Sequence, residues 1–209
     1  MIKISIIDDH AIVRKGLKEI VADSHDMQVT FEASSGAEGL RVIRKHDLDV
    51  VLLDISMPGM NGLETLQLIK EEKPRLPVLM LSVHPEEQYA VRALKLGASG
   101  YLTKESAPSE LLAAIRKVAA GGRYVNASLA EKLAEYIESD SGRPPHETLS
   151  NRELQVMLLI AAGQSVKIIA DKLALSPKTI STHRTRLLGK MQLGNNAEVV
   201  RYAMEHRLS

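Results

Sequence analysis

Five short runs of Ile, Val and Leu, each followed by a stretch of helical period, constrain this chain more than any other feature. The runs are 3–7, 28–33, 50–53, 78–82 and 100–103, and the helical stretches are 12–22, 37–45, 63–72, 86–96 and 109–120. Several runs are apolar throughout, as expected of parallel strands covered on both faces. Fivefold strand–helix alternation predicts a (βα)5 unit around a parallel sheet. Ser35 with Glu38 and Asn61 with Glu64 read as capping boxes at two helix starts. Gly121-Gly122 closes the unit, which places a first domain at residues 1–122.

The strand signal then disappears. A helix is expected at about 127–138, inside a connecting segment 123–147 whose polar Pro/Gly stretch 139–145 is the linker candidate. Residues 148–209 read as an all-α domain of four helices. Ser150 and Glu153 form a capping box before a helix at 154–162, and Gly163 ends it. A second helix follows at 166–173. Ser176-Pro177 sets an N-cap and an N1 proline before a third reaching about Met191, and 196–206 supplies the fourth. The second and third helices read as a helix-turn-helix, with Ile169, Ala170, Leu173, Leu175, Ile180 and Leu187 as the seam. The far face of the third carries Lys178, Ser181, Thr182, Arg184, Thr185 and Arg186. Bases interleaved with short hydroxyls suit a helix lying in a DNA major groove, although a solvated basic face has the same pattern. Net charge supports the division. Residues 148–209 hold 4 Lys and 5 Arg against 4 acids, a surplus of +5, while the rest holds 18 basic and 22 acidic residues, a balance of −4.

The chemistry of the first domain gathers at the strand ends. Asp8 and Asp9 follow the first strand, Asp54 the third and Lys104 the fifth, and Ser82 ends the fourth. In a parallel sheet these ends share one edge, where ligands collect. Three convergent carboxylates repel one another unless a cation joins them, and an all-oxygen set favours Mg²⁺. A carboxylate here can attack a phosphoryl donor and become an acyl phosphate, with lysine and cation offsetting the charge on the transferred oxygens. Singly, Asp8 and Asp9 could merely cap a helix and Asp54 could start a turn. His10, His46 and His84 lack paired metal-ligand spacing and read as solvated or capping residues.

The segments Ile7-Asp8-Asp9-His10, Leu53-Asp54-Ile55-Ser56-Met57-Pro58-Gly59-Met60-Asn61-Gly62, Leu81-Ser82 and Tyr101-Leu102-Thr103-Lys104 resemble the receiver domain of two-component response regulators, a flavodoxin-like α/β fold. That resemblance implies Asp54 as phosphoacceptor, Mg²⁺ held by Asp8, Asp9, Asp54 and the Ser56 carbonyl, and Ser82 and Lys104 on the phosphoryl group. Tyr101 would be the switch residue, moving inward with Ser82; packing alone is the other role open to it. Asn61 departs from the pattern, standing where an acid is common. The stretch from Leu149-Ser150-Asn151-Arg152-Glu153 through Leu193 resembles the LuxR-type DNA-binding domain, and the pair resembles the NarL/FixJ class. The recognition helix implied is 178–191. Ser181, Thr182 and Thr185 would face bases, and Lys178, Thr179, His183 and Arg186 would hold phosphates. The class implies a homodimer, with the last helix near Val199, Val200 and Ala203 as part of the contact.

The expected function is therefore a phosphorelay response regulator and not a metabolic enzyme. A sensor histidine kinase or a small phosphodonor would supply its phosphoryl group, and double-stranded DNA would be its target. Two other classes fit less well. An aspartate-nucleophile phosphatase needs an acid two residues after the nucleophile, where this chain has Ser56. A signalling adaptor would use the basic domain on protein or RNA. The chain has no Cys, which excludes disulfides and thiol-ligated metals, and only 3% aromatic residues, which argues against base-stacking platforms. No run is apolar enough to span a membrane and the first residues do not read as a signal peptide, so a cytoplasmic protein is expected.

Overall fold

The computed structural model describes residues 1–83, 86–138, 144–206 and 208, without the side chains of 86–88, 132 and 135–138. His84 and most of the linker stretch at 139–145 lie outside the described residues. The chain divides into two compact units, Met1–Ala134 and Glu135–Ser209.

In the first unit the five apolar runs form one parallel sheet: β1 (Ile2–Ile7), β2 (Met27–Ala33), β3 (Val50–Asp54), β4 (Val78–Ser82) and β5 (Gly100–Thr103), ordered β2-β1-β3-β4-β5. Between them run α1 (Ala11–Ala22), α2 (Gly36–Lys45), α3 (Gly62–Glu72) and α4 (Glu86–Lys95); α5 (Pro108–Ala119) follows β5, and then comes α6 (Ala127–Glu138), which continues past the last residue of this unit. β3 and β4 are buried at every position, because helices cover both faces of the sheet. On one face Ile4, Ile6, Val50, Leu52, Leu79, Leu81 and Leu102 pack with Leu111, Ala114, Ile115 and Val118 of α5. Each such aliphatic side chain contributes about 1.5–3 kcal/mol on burial. Strand order reverses between β1 and β3, which opens a crevice beyond their C-terminal ends.

Two of the three expected capping boxes form in full. Asn61 Oδ1 accepts from the Glu64 amide at 2.9 Å while the Glu64 carboxylate accepts from the Asn61 amide at 3.1 Å. Ser150 and Glu153 pair in the same way. The Ser35 box is only half made. Ser35 Oγ accepts from the Glu38 amide, but the Glu38 carboxylate reaches one residue further back and takes the amide and hydroxyl of Ser34. That extra hydroxyl donor competes successfully for the carboxylate.

The second unit contains a 3₁₀ turn at Pro145–Thr148, absent from the sequence expectation, and then α7 (Asn151–Ala161), α8 (Val166–Leu173), α9 (Pro177–Met191) and α10 (Asn196–Glu205). α7 starts earlier than its apolar period suggests, because the Ser150 cap initiates it directly. It is buried continuously from Arg152 to Ile160. The seam joining α8 to α9 is as expected, with Ile169, Ala170, Leu173, Ile180 and Leu187 buried and Leu175 half-buried. The tight turn between them uses Ala174 in the left-handed region, φ +52°, before Ser176 caps α9. Val199 and Ala203 of α10 are fully buried within this unit, so they are core residues and not free for a dimer contact; only Val200 stays half-buried. Among the described residues no helix is long and apolar enough to cross a membrane.

One backbone approach holds the crevice together. At Gly62 a Cβ would sit 2.0 Å from the Asp54 carbonyl oxygen and 2.7 Å from the Ile55 Cα. The N-terminus of α3 therefore lies directly against the chain that leaves β3. Gly62→Ala is expected to destabilise the fold by roughly 2–3 kcal/mol, read as a lower urea midpoint at unchanged slope.

Candidate phosphoryl-acceptor pocket and DNA-facing helix

The sheet brings Asp8, Asp9, Asp54, Ser82 and Lys104 to one edge. Asp8, Asp54 and Ser82 are buried to within 1% of complete, whereas the Asp9 side chain keeps about a quarter of its surface, 23%. Lys104 Nζ, itself nearly buried, lies 2.6 Å from Asp8 Oδ2 and 3.0 Å from Asp54 Oδ1. The Lys104 backbone amide donates to the Ser82 carbonyl at 2.7 Å, which ties the loop after β5 to the end of β4. Arg14 Nη1 donates to the Asp8 carbonyl at 2.7 Å and braces the corner between β1 and α1.

The carboxylates are not saturated. Asp8 Oδ2, Asp9 Oδ1 and both Asp54 oxygens are buried without a hydrogen bond of ordinary geometry; Lys104 meets Asp8 Oδ2 and Asp54 Oδ1 as an ion-pair partner. Burial pushes the Asp54 carboxyl above its ordinary pKa, with the neighbouring Asp8 adding to the effect; Lys104 and the Ser56 backbone amide oppose it. Unpaired acceptors in a desolvated site favour a ligand that supplies positive charge. Asp8, Asp9, His10 and Asp54 each place one ligand atom within 4.8 Å of the others, close enough for a single cation. This is an oxygen-rich donor set of the kind that suits Mg²⁺. Ser56 is half-buried beside Asp54.

Tyr101 is fully buried, a position that suits core packing and the inward setting of a switch residue alike. Beside it lies Tyr89 of α4, 3% exposed, whose hydroxyl is held protonated chiefly by burial and further by the charge that Tyr101 would carry if ionised. Tyr89 escaped the sequence reading because a helical period shows a buried position without showing its partner. His46 stacks on Phe31 at 3.9 Å, a packing role. His10 occupies the N-cap position of α1, yet its side chain makes no cap hydrogen bond.

In the second unit, Lys178, Ser181, Thr182, Thr185 and Arg186 are exposed on α9, and Thr179 and His183 are half-buried. The hydroxyls of Ser181, Thr182 and Thr185 donate to the carbonyls four residues back, at 2.9–3.0 Å. Their protons are thereby engaged and their outward lone pairs remain as acceptors. The basic residues divide. Arg184 donates to Asn196 Oδ1 at 2.6 Å and Lys190 pairs with the buried Glu153 at 2.6 Å, so both brace the domain. Lys178 and Arg186 make no ion pair among the described residues and face outward. Thr179 shares its hydroxyl with the Ser176 cap at 2.8 Å.

Residues 4–116 match the family model described as a response regulator receiver domain, and residues 147–203 match the one described as bacterial regulatory proteins, luxR family. The chain belongs to the NarL/FixJ class of two-component response regulators. It is 39% identical over its full length to the response regulator UvrY of Escherichia coli K12, covering 96% of that protein. It is also 39% identical over 207 residues to the response regulator GacA of Pseudomonas syringae pv. syringae, covering 99% of this chain and 97% of that one. Among solved structures it resembles RcsB of Salmonella enterica serovar Typhimurium bound to promoter DNA in the presence of beryllofluoride. That match has a TM-score of 0.67 and 26% identity, over 96% of this chain and 97% of RcsB. A luxR-family response regulator from Aurantimonas matches with a TM-score of 0.61 and 33% identity, over 65% of this chain and 96% of that one. This response regulator thus carries a receiver domain and a LuxR-type DNA-binding domain.

Because the folded-state pKa of Asp54 is raised, the ionised form destabilises the fold. The neutral carboxyl's contribution is complete below the ordinary value of 3.8 and is lost as pH rises through the raised one. With divalent cations chelated, Asp54→Asn is expected to unfold at higher urea than the wild type at neutral pH. The difference should shrink as pH falls toward the ordinary aspartate range.

Proposed function

We propose that Asp54 is the phosphoacceptor, and that its phosphorylation controls sequence-specific DNA binding through α9. The observation that carries this reading is the buried bridge from Lys104 to both Asp8 and Asp54, which joins three strand ends in one pocket. An Asp54 carboxylate oxygen attacks the phosphorus of a donor, either a phosphohistidine of a sensor kinase or a small acyl phosphate. A new P–O bond forms, the bond to the donor breaks, and the donor leaves with the electron pair. Asp8, Asp9, Asp54 and the Ser56 carbonyl would hold Mg²⁺, which when bound supplies positive charge to the transferring oxygens. Lys104 follows the phosphoryl group as its ion-pair partner, and Ser82 donates its hydroxyl to it. Tyr101 then registers the shift of Ser82. The chain's own chemistry is self-modification, as suits a regulator rather than a metabolic enzyme.

The boundaries that suit this reading are a receiver at 1–122, a connecting segment at 123–147 and a DNA-binding domain at 148–209. The phosphorylated form acts as a cytoplasmic homodimer. On DNA, Ser181, Thr182 and Thr185 face base edges as acceptors, while Lys178, Thr179, His183 and Arg186 hold phosphates.

Incubation with a small acyl phosphate and Mg²⁺ should label the wild type with an alkali-labile phosphoryl group and raise its DNA affinity. Asp54→Asn should show neither effect; labelling that persists in it would exclude Asp54. On DNA that the wild type selects from a random pool, Lys178→Ala should weaken binding to all sequences and reduce the salt slope by about 1. Thr182→Ala should instead relax preference at one base pair, by about 1–3 kcal/mol. These are read by titration at several salt concentrations.

A further inference from the structure

We propose that His10 is a nitrogen ligand of the cation pocket, so that the site binds transition-metal ions such as Mn²⁺ more tightly than its carboxylates alone would. This rests on the reading of Asp8, Asp9 and Asp54 as a cation site. His10 Nδ1 lies 3.0 Å from Asp9 Oδ1 and 3.4 Å from Asp8 Oδ1. Adjacent ligands of a six-coordinate ion with bonds of about 2.1 Å are separated by about 3.0 Å, so Nδ1 already stands at close to ligand spacing from both carboxylates. The Asp54 ligand atom falls in the same cluster, all within 4.8 Å.

The backbone sets this placement. The His10 amide donates to Asp8 Oδ1 at 2.7 Å, which folds the chain back over the first carboxylate and turns the ring toward the second. The ring has no competing task in the helix, since it makes no cap hydrogen bond at the start of α1. Its side chain is 61% exposed, and Nδ1 is the ring atom that stands beside both carboxylates, the atom that would offer a bound cation its lone pair. A second, independent observation points to a bound cation. Asp8 and Asp54 are wholly buried side chains, and Asp8 Oδ2 and both Asp54 oxygens, with Asp9 Oδ1, lack hydrogen bonds of ordinary geometry. Mn²⁺ is the weakest binder of the first-row divalent series, yet as a transition ion it takes an imidazole nitrogen more readily than the harder Mg²⁺ does, so one nitrogen in the shell shifts selectivity away from Mg²⁺.

The test is pulsed electron paramagnetic resonance of the full chain loaded with Mn²⁺, together with calorimetric titrations of Mn²⁺ and Mg²⁺. The wild type should show ¹⁴N modulation from a directly bound imidazole, and ¹⁵N labelling of histidine should change it. His10→Phe keeps a ring of similar size; it should lose the modulation and about tenfold in Mn²⁺ affinity, with less change for Mg²⁺. Bound Mn²⁺ with no imidazole nitrogen in the wild type, or equal Mn²⁺ affinity in a folded His10→Phe, would overturn the proposal while leaving the carboxylate pocket standing. Failure of the wild type to bind either ion would remove the pocket and the proposal together. The labelled wild-type spectrum decides the matter even if the variant does not fold.

Discussion

Everything distinctive in this molecule depends on keeping buried acids at the end of a parallel sheet. Two of them, Asp8 and Asp54, have no exposed side-chain surface, and a single ammonium reaches both. Taking such charges out of water costs several kcal/mol each, and one lysine cannot satisfy three carboxylates. The pocket is therefore left short of positive charge by construction. A bound cation would lower that deficit, and a phosphoryl group reaching Lys104 would redistribute it.

The covalent neighbourhood makes the arrangement rigid. Gly62 lets the start of α3 press against the Asp54 backbone, and the Asn61–Glu64 box fixes that helix start. Asn61 departs from the family pattern yet supplies the cap itself, since an amide oxygen accepts from the amide three residues on as readily as a carboxylate does. Lys104 is positioned by a backbone bond to β4, so movement at Ser82 and movement at Lys104 are linked through the main chain.

The strands and the convergence at their ends were legible because buried parallel strands leave unbroken apolar runs, and because the polar residue after each run must fall at the same edge. Side-chain choices between near-equal partners were not legible. Glu38 takes Ser34 over Ser35, which no spacing rule distinguishes. The placement of the His10 ring 3.0 Å from the Asp9 carboxylate escapes spacing rules, which look for separated partners, because its neighbours in space are its neighbours in sequence. The 3₁₀ turn at Pro145–Thr148 is set by a proline and local hydrogen bonds, without an apolar period to announce it. On α9 the pattern showed one basic face, but Arg184 and Lys190 are spent on Asn196 and Glu153, contacts that only the fold creates. Val199 and Ala203 likewise face inward, because α10 closes the core against α7.

If the pocket works as proposed, an anion resembling a phosphoryl group binds at Asp54 only together with a divalent cation and Lys104. Thermal unfolding with beryllofluoride measures this directly, since a ligand specific for the native state raises the transition in proportion to its affinity. The transition should rise by several degrees in the wild type when beryllofluoride and Mg²⁺ are both present, and not at all in Lys104→Ala, in Asp54→Asn or with Mg²⁺ chelated. An equal rise in Asp54→Asn, or one independent of Mg²⁺, would contradict it.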